Sequence, residues 1–418
     1  MTPLRRTVVV LAAGALTAPL LLTGGSAPAA APRPHHDGAH HPTSTESAQV
    51  VLDWERAAFA AVYPANPVPV GVPLLGYTST AMYDAARMSM RWHDSSETAA
   101  VATAAHHVLV HYAPGAVAAL DTQLATTLAG VPDGEAEDRG VWTGSKVAAR
   151  LIEERADDGY GDTTVHYTLP PAIGTWQPAA PATDMLGAWI GSMDPLVVRR
   201  LARADGPDKL TSDDYATDYN EVKLLGSATS TVRSSEQTNT ARFFSANSAT
   251  MVGDALIRYL EANPVGLEDT VRTFATMHGA MTDSLIRCWQ LKRDVGFWRP
   301  VEAVPAAAAD GNPDTRPEPG WTPLLAPTPP YSDYVSGHGC VTSPQVEVIR
   351  TRFGETTPLE LRTSAVLALP PRTYATLEQL ELDALSSRIW GGLHFRDAMS
   401  DAYGIGRRTA RTVMKAME

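Results

Sequence analysis

Lys292-Arg293-Asp294-Val295-Gly296-Phe297-Trp298-Arg299-Pro300 opens a stretch that closes with Ser387-Arg388-Ile389-Trp390-Gly391-Gly392-Leu393-His394-Phe395-Arg396-Asp397. Between them lies Tyr334-Val335-Ser336-Gly337-His338-Gly339. The three segments gather cations at Lys292, Arg299 and Arg388, two histidines at His338 and His394, the Ser336 hydroxyl and the Gly337 backbone. Those groups suit a tetrahedral oxyanion. An arginine offers a planar fork of N–H donors that matches an oxyanion edge, and each charge-assisted hydrogen bond contributes roughly 1.5–3 kcal/mol. Any one of these cations alone would read as solvated surface charge. Arg299 and Arg388 read otherwise, because Trp298 and Trp390 stand close by in a largely apolar context.

Ser336-Gly337-His338 reads as the start of a helix, whose free N–H groups and dipole favour an anion. Alone, Ser-Gly-His is equally a simple helix cap. A lone histidine such as His394 is ordinarily a satisfied core residue. With Asp397 three positions on, one helix would place the two on one side, and the carboxylate would fix the tautomer of the ring.

Outward from this stretch the patterning is helical. Residues 267–292 lead into Lys292, and 336–353, 357–366, 375–390 and 394–416 carry the rest, with 303–330 as loop. Upstream, Thr43 and Glu46 fit a capping box ahead of Val50, Val51, Trp54, Ala57, Ala58 and Ala61. Pro64, Pro67 and Pro69 end that segment, and helices follow over 76–92, 97–113, 115–129 and 134–157. Residues 159–212, rich in Gly, Pro and Trp, predict a long irregular connection, and 213–225, 234–246 and 249–262 resume helix. Period-two strand patterning is sparse. The fold class is therefore all-α: helical bundles, the C-terminal one holding the oxyanion site. The expected organisation is a helical region over 47–212 with its irregular connection, then a C-terminal helical domain over 213–418. His107 and His111 share a helix face, a conceivable metal pair, but no His-Glu-x-x-His pattern accompanies them and surface histidines are the simpler reading.

The 418 residues carry a net charge of −12, and 44% are hydrophobic, which suits a folded protein with a sizeable core. Arg5-Arg6, the apolar run Val8 to Leu22 and Ala27-Pro28-Ala29 read as a cleavable secretion signal over 1–29. Its loss removes two arginines and no acids, taking −12 to −14. Such a surface disfavours nucleic acid. The expectation is a secreted, extracellular protein with no membrane association after signal cleavage. Residues 30–46, with His35, His36, His40 and His41, read as a flexible tail. Export permits a Cys288–Cys340 bridge, and two buried free thiols would look the same in sequence.

In this order and spacing, Lys292-x6-Arg299-Pro300, Ser336-Gly337-His338 and Ser387-Arg388-x5-His394 resemble the signature of the vanadium-dependent haloperoxidase and type 2 phosphatidic acid phosphatase superfamily. Asp218-Tyr219-Asn220-Glu221-Val222-Lys223 and Ser235-Glu236-Gln237-Thr238 resemble upstream segments of its secreted bacterial haloperoxidase-related branch. The resemblance implies that Lys292, Arg299, Arg388, Ser336 and Gly337 bind the oxygens of vanadate, or of phosphate in the same site. His394 would be the axial ligand to vanadium, or the phosphorylated nucleophile. His338 would be the general acid–base, and Tyr331 would lie near a halide pocket. The family usually places an aspartate four residues after the last histidine, whereas Asp397 follows by three. The implied substrates are hydrogen peroxide, halide and an organic acceptor, and the resemblance leaves a homodimer open. Chain length, export and the lack of several membrane helices favour haloperoxidase over a secreted acid phosphatase, and the two histidines argue against an anion-binding module without turnover.

Overall fold

The computed structural model describes residues 44–418 apart from 64, 93 and 365. The secretion signal, the histidine tract, Thr43 and Pro64 lie outside the described residues. Among those described, α-helices dominate and two three-residue strands are the only sheet. Five helices come first: α1 (Gln49–Val62), α2 (Val68–Met90), α3 (Glu97–Tyr112), α4 (Val117–Leu128) and α5 (Glu135–Arg155). The connection over 159–212 is irregular, with one 3-10 turn at Ala188–Ser192. Then come α6 (Asp213–Gly226), α7 (Ser235–Phe243), α8 (Ser248–Ala262), α9 (Leu267–Val295), α10 (Pro300–Ala306), α11 (Gly337–Phe353), α12 (Leu377–Trp390) and α13 (Arg396–Ala416).

Four local expectations are corrected. Glu46 does not cap α1; its carboxylate accepts from the N–H groups of Glu97 and Thr98 and so caps α3. The prolines after α1 do not delay the next helix to 76. Pro69 sits in the first turn of α2, where its missing N–H costs nothing, and Pro73 leaves a single carbonyl without its helical donor. Within the stretch read as loop over 303–330, α10 continues to Ala306 from Pro300 at its first position. The segment 357–366 is not helix. Leu359–Leu361 (β1) pairs antiparallel with Arg372–Tyr374 (β2), burying Leu359 and Leu361 with Glu360 between them, a period of two.

The 29-residue α9 is the spine. It packs against α2, α11 and α13. Glu268 and Asp269 in its first turn and Lys292 and Arg293 in its last complement the helix dipole. Gly296 ends it in a left-handed conformation at φ 61°, and its N–H donates to the Lys292 carbonyl at 3.1 Å. A Cβ at Gly296 would strike the Tyr167 hydroxyl. One apolar core runs from Val50 in α1 to Met414 in α13, crossing residue 212. A smaller cluster of Tyr215, Tyr219, Trp298, Trp321 and Phe395 binds α6 and α10 to the start of α13.

A polar island lies within the core. Ser79 Oγ donates to Glu55 Oε1 at 2.7 Å and sits 2.8 Å from His278 Nδ1, all three residues being fully buried. Elsewhere His106 Nε2 pairs with Asp121 at 2.7 Å, and no metal cluster of three ligands occurs among the described residues. Cys288 of α9 and Cys340 of α11 are bridged, with Cα atoms 6.6 Å apart. The bridge closes a loop over a sequence separation of 52. The double variant C288A/C340A is expected to lose about 2–4 kcal/mol of stability, read from urea unfolding without reductant.

Candidate active site

The last turn of α9 delivers Lys292 fully buried. Its Nζ donates to the carbonyls of Ser332 at 2.6 Å and Asp333 at 3.0 Å, leaving one of three ammonium donors free. Burial and then Arg299 push its pKa well down, and Asp333 opposes them. Past the Gly296 turn, Arg299 is the N-cap of α10. Its Nε donates to Tyr331 O at 2.6 Å and its Nη1 to Leu393 O at 2.8 Å, while the buried Nη2 has no partner. The Tyr331 ring lies against both cations, its centroid 4.9 Å from Lys292 Nζ and 4.9 Å from the Arg299 guanidinium carbon.

Arg388 comes from the last turn of α12. Its Nη1 donates to Phe244 O at 3.3 Å and its Nε is buried without a partner. Burial pulls its pKa down to about 10. Ser336 is the N-cap of α11, its Oγ accepting from Gly339 N–H at 3.4 Å, so its own O–H remains available to donate. A Cβ on Gly337 would come within 2.8 Å of the Trp289 ring, so only glycine lets this helix start approach so closely. His338, one residue on, has Nε2 buried and unpartnered, and burial and Arg388 hold its pKa well down.

His394 is where the sequence reading needs correcting. Its Nδ1 lies 2.6 Å from Asp333 Oδ1, and both side chains are buried. Asp397 does not touch it. The Asp397 carboxylate accepts from Asp208 N–H at 3.4 Å, and its own N–H donates to Asp218 Oδ2 at 2.6 Å. The reason is geometric: α13 begins at Arg396, so His394 stands outside the helix and a three-residue spacing no longer sets a shared face. Burial first, then Arg299, Lys292, Arg388 and His338, hold the His394 pKa well down. Burial pushes Asp333 up to about 8 against the pull of Arg299 and Lys292. The signal that could have found Asp333 was its place three residues before Ser336, next to the second cluster.

The structure thus brings Lys292, Arg299, Arg388, Ser336, Gly337, His338 and His394 around one point, and leaves Asp397 outside. Of the three buried cations, Lys292 and Arg299 act on Asp333, and Glu302 lies on the backbone side of Arg299, where its carboxylate accepts from Arg299 N–H at 3.0 Å. Buried charge without a partner is strongly unfavourable. With unpartnered N–H groups at Arg299 Nη2 and Arg388 Nε, the shell is complementary to an oxyanion. Beside it lies a cavity of about 270 Å³, lined in part by Trp289, Tyr331, Gly337, His338 and Arg388.

Residues 272–418 match the family described as the VCPO second helical-bundle domain. Among solved structures, a bacterial vanadium-dependent iodoperoxidase is 21% identical with a TM-score of 0.71, over 88% of this chain and 96% of that one. A holo-type bacterial vanadium-dependent chloroperoxidase is 16% identical with a TM-score of 0.65, over 86% of this chain and 95% of that one. Its apo-type counterpart is 15% identical with a TM-score of 0.65, over 84% and 93%. No curated protein sequence matches this chain. The fold is that of these haloperoxidases.

Proposed function

On the premise that residues 272–418 belong to the VCPO second helical-bundle family, a part of the vanadium haloperoxidase superfamily, we propose that the protein is an exported, vanadate-dependent haloperoxidase that oxidises halide with hydrogen peroxide to a hypohalous species. The observation that carries this reading is the convergence of three buried cations on a histidine held by a buried carboxylate, with two guanidinium N–H groups left unpartnered. That donor set fits vanadate. Lys292, Arg299, Arg388, Ser336 O–H and the Gly337 N–H would hold its oxygens, and His394 Nε2 would ligate vanadium, oriented by the bond from the opposite ring nitrogen to Asp333. When bound, vanadate supplies a pentavalent Lewis acid that polarises peroxide toward halide without redox change at the metal.

The chain's own part is positioning and proton transfer. A depressed pKa keeps the His394 ring neutral and its lone pair available. His338 faces the cavity with Nε2 free, so it takes a proton from incoming hydrogen peroxide and later returns one to the oxygen that leaves as water. The net reaction consumes one peroxide, one halide and one proton and releases one hypohalous acid and one water. The substrates are small molecules, and the acidic surface keeps nucleic acid away. The same cradle would hold phosphate, with His394 as nucleophile, which is the rival outcome of the test.

Purified apoprotein given vanadate, bromide and peroxide is expected to brominate a dione. If vanadate only inhibits hydrolysis of an aryl phosphate, the phosphatase reading replaces this one. His338→Ala is expected to lower turnover by about 10²–10⁴ with vanadate affinity kept. Unchanged turnover in that variant would remove His338 from proton transfer.

A further inference from the structure

The cavity beside the cradle is larger than peroxide and halide require. At about 270 Å³ it lies just below the roughly 300 Å³ at which pockets for organic ligands begin. Two aromatic rings line it, Trp289 and Tyr331, with centroids 5.0 Å apart and planes at 55°. Both are fixed in place. Trp289 Nε1 donates to Leu186 O at 3.0 Å, and Lys292 Nζ lies 5.7 Å from the Trp289 centroid and 4.9 Å from that of Tyr331. Further lining comes from Val68, at the start of α2, and Ala246, between α7 and α8, both outside residues 272–418. The polar lining includes His338 and Arg388, whose Nε2 and Nε are buried without partners.

We propose that this cavity binds the organic acceptor, an electron-rich phenol of one or two rings, so that halogen is transferred within the protein. The inference rests on the haloperoxidase reading. The rings of Trp289 and Tyr331 suit an aromatic face. The His338 ring nitrogen at the polar end of the cavity suits a phenol hydroxyl, and the Arg388 charge, shared with the cradle, favours the phenolate, the more reactive form. Peroxide remains the oxidant. The phenol loses a ring C–H proton and gains a carbon–halogen bond from the hypohalous acid, whose oxygen leaves with that proton as water. Halide oxidation belongs to the 272–418 cradle, and the choice of acceptor belongs to the segments that carry Val68 and Ala246.

The test uses the vanadate-loaded full chain with bromide and peroxide. 4-Methylphenol competes with tyrosine coupled to dextran, a similar ring too bulky to enter. Relative to the ratio that reagent hypobromite gives, the protein is expected to favour 4-methylphenol by about tenfold or more. Val68→Trp, and separately Ala246→Leu as a milder change, should bring the ratio back toward the reagent value. Total bromination summed over both acceptors should stay near wild type, since neither residue belongs to the cradle. Calorimetry with 4-methylphenol and no peroxide reads the pocket directly, with binding to wild type and roughly tenfold weaker binding to Val68→Trp. A wild-type ratio equal to that of reagent hypobromite, or no binding by calorimetry, overturns the proposal while halide oxidation stands. Binding without any halide oxidation overturns the haloperoxidase reading and the halogen-transfer step, and supports the pocket alone.

Discussion

Asp333→Asn lowers vanadate-dependent turnover by roughly 10²–10⁴ and weakens vanadate binding by about 10–100-fold. The change keeps the shape of the side chain, and the Asp333 carbonyl still accepts from Lys292. What is lost is the carboxyl group at 2.6 Å from His394 Nδ1. An amide either accepts or donates there, so the ring no longer has one enforced tautomer and its Nε2 no longer has one enforced role. The buried shell also loses the acid group on which Arg299 and Lys292 act. Vanadium-51 NMR titration measures the affinity and steady-state bromination the turnover. Asp397→Asn is the control: with Asp397 bonded to Asp208 and Asp218, it should leave vanadate affinity close to wild type. The reverse ranking of the two variants would restore Asp397 as the orienting acid.

Glu55→Gln makes the protein more stable at alkaline pH, by up to a few kcal/mol. Burial raises the Glu55 pKa from 4.5 to about 8, opposed by the Ser79 hydroxyl. Below pH 4.5 the carboxyl is protonated both folded and unfolded and has no effect on the balance. Between 4.5 and about 8 the unfolded chain releases its proton while the fold retains it, so this group's contribution to stability falls as pH rises. A glutamine carries no such dependence. Its advantage grows across that window and levels off above it. His278 acts at the other end. Burial depresses its pKa from 6.5 to about 3, so its contribution is complete above 6.5 and falls as acid protonates the unfolded chain first. Urea midpoints from pH 4 to pH 9 check both limbs. A parallel pH dependence in wild type and Glu55→Gln would show that Glu55 is ionised in the fold.

Much of the candidate site was legible because its groups sit in short, dense segments. Lys292 and Arg299 bracket one helix end, Ser336, Gly337 and His338 form one helix start, and Arg388 and His394 flank another helix end. Asp333 was not legible. It lies in a segment with no periodicity, and its partner is 61 residues away, a contact that only the packing of α9, α11 and α13 creates. The helical rule that selected Asp397 is sound on a helix and fails where the chain turns at Gly391-Gly392 before α13 begins. The long helices α3 and α5 were legible from segments rich in Ala, Met and Val, and α9 from its helical patterning. The β1–β2 pair was not, because three residues carry too little of a period-two pattern, and the packing of β1 on α8 decides it.

The uneven distribution of charge around Asp333 has a thermodynamic consequence. Cations held apart from water repel one another whenever no anion lies among them, so the dissolved oxyanion becomes a component of the folding equilibrium. Mass action sets the size of the effect: vanadate at one hundred times its dissociation constant adds about 2.7 kcal/mol to stability if it binds only the folded chain. Phosphate, if it takes the same seat with its own affinity, is expected to do likewise, the gain growing with the logarithm of its concentration above the dissociation constant. On the proposed function, the melting temperature is therefore expected to follow the buffer anion, and a preparation in phosphate should differ in stability from one in an oxyanion-free amine buffer before any substrate is added.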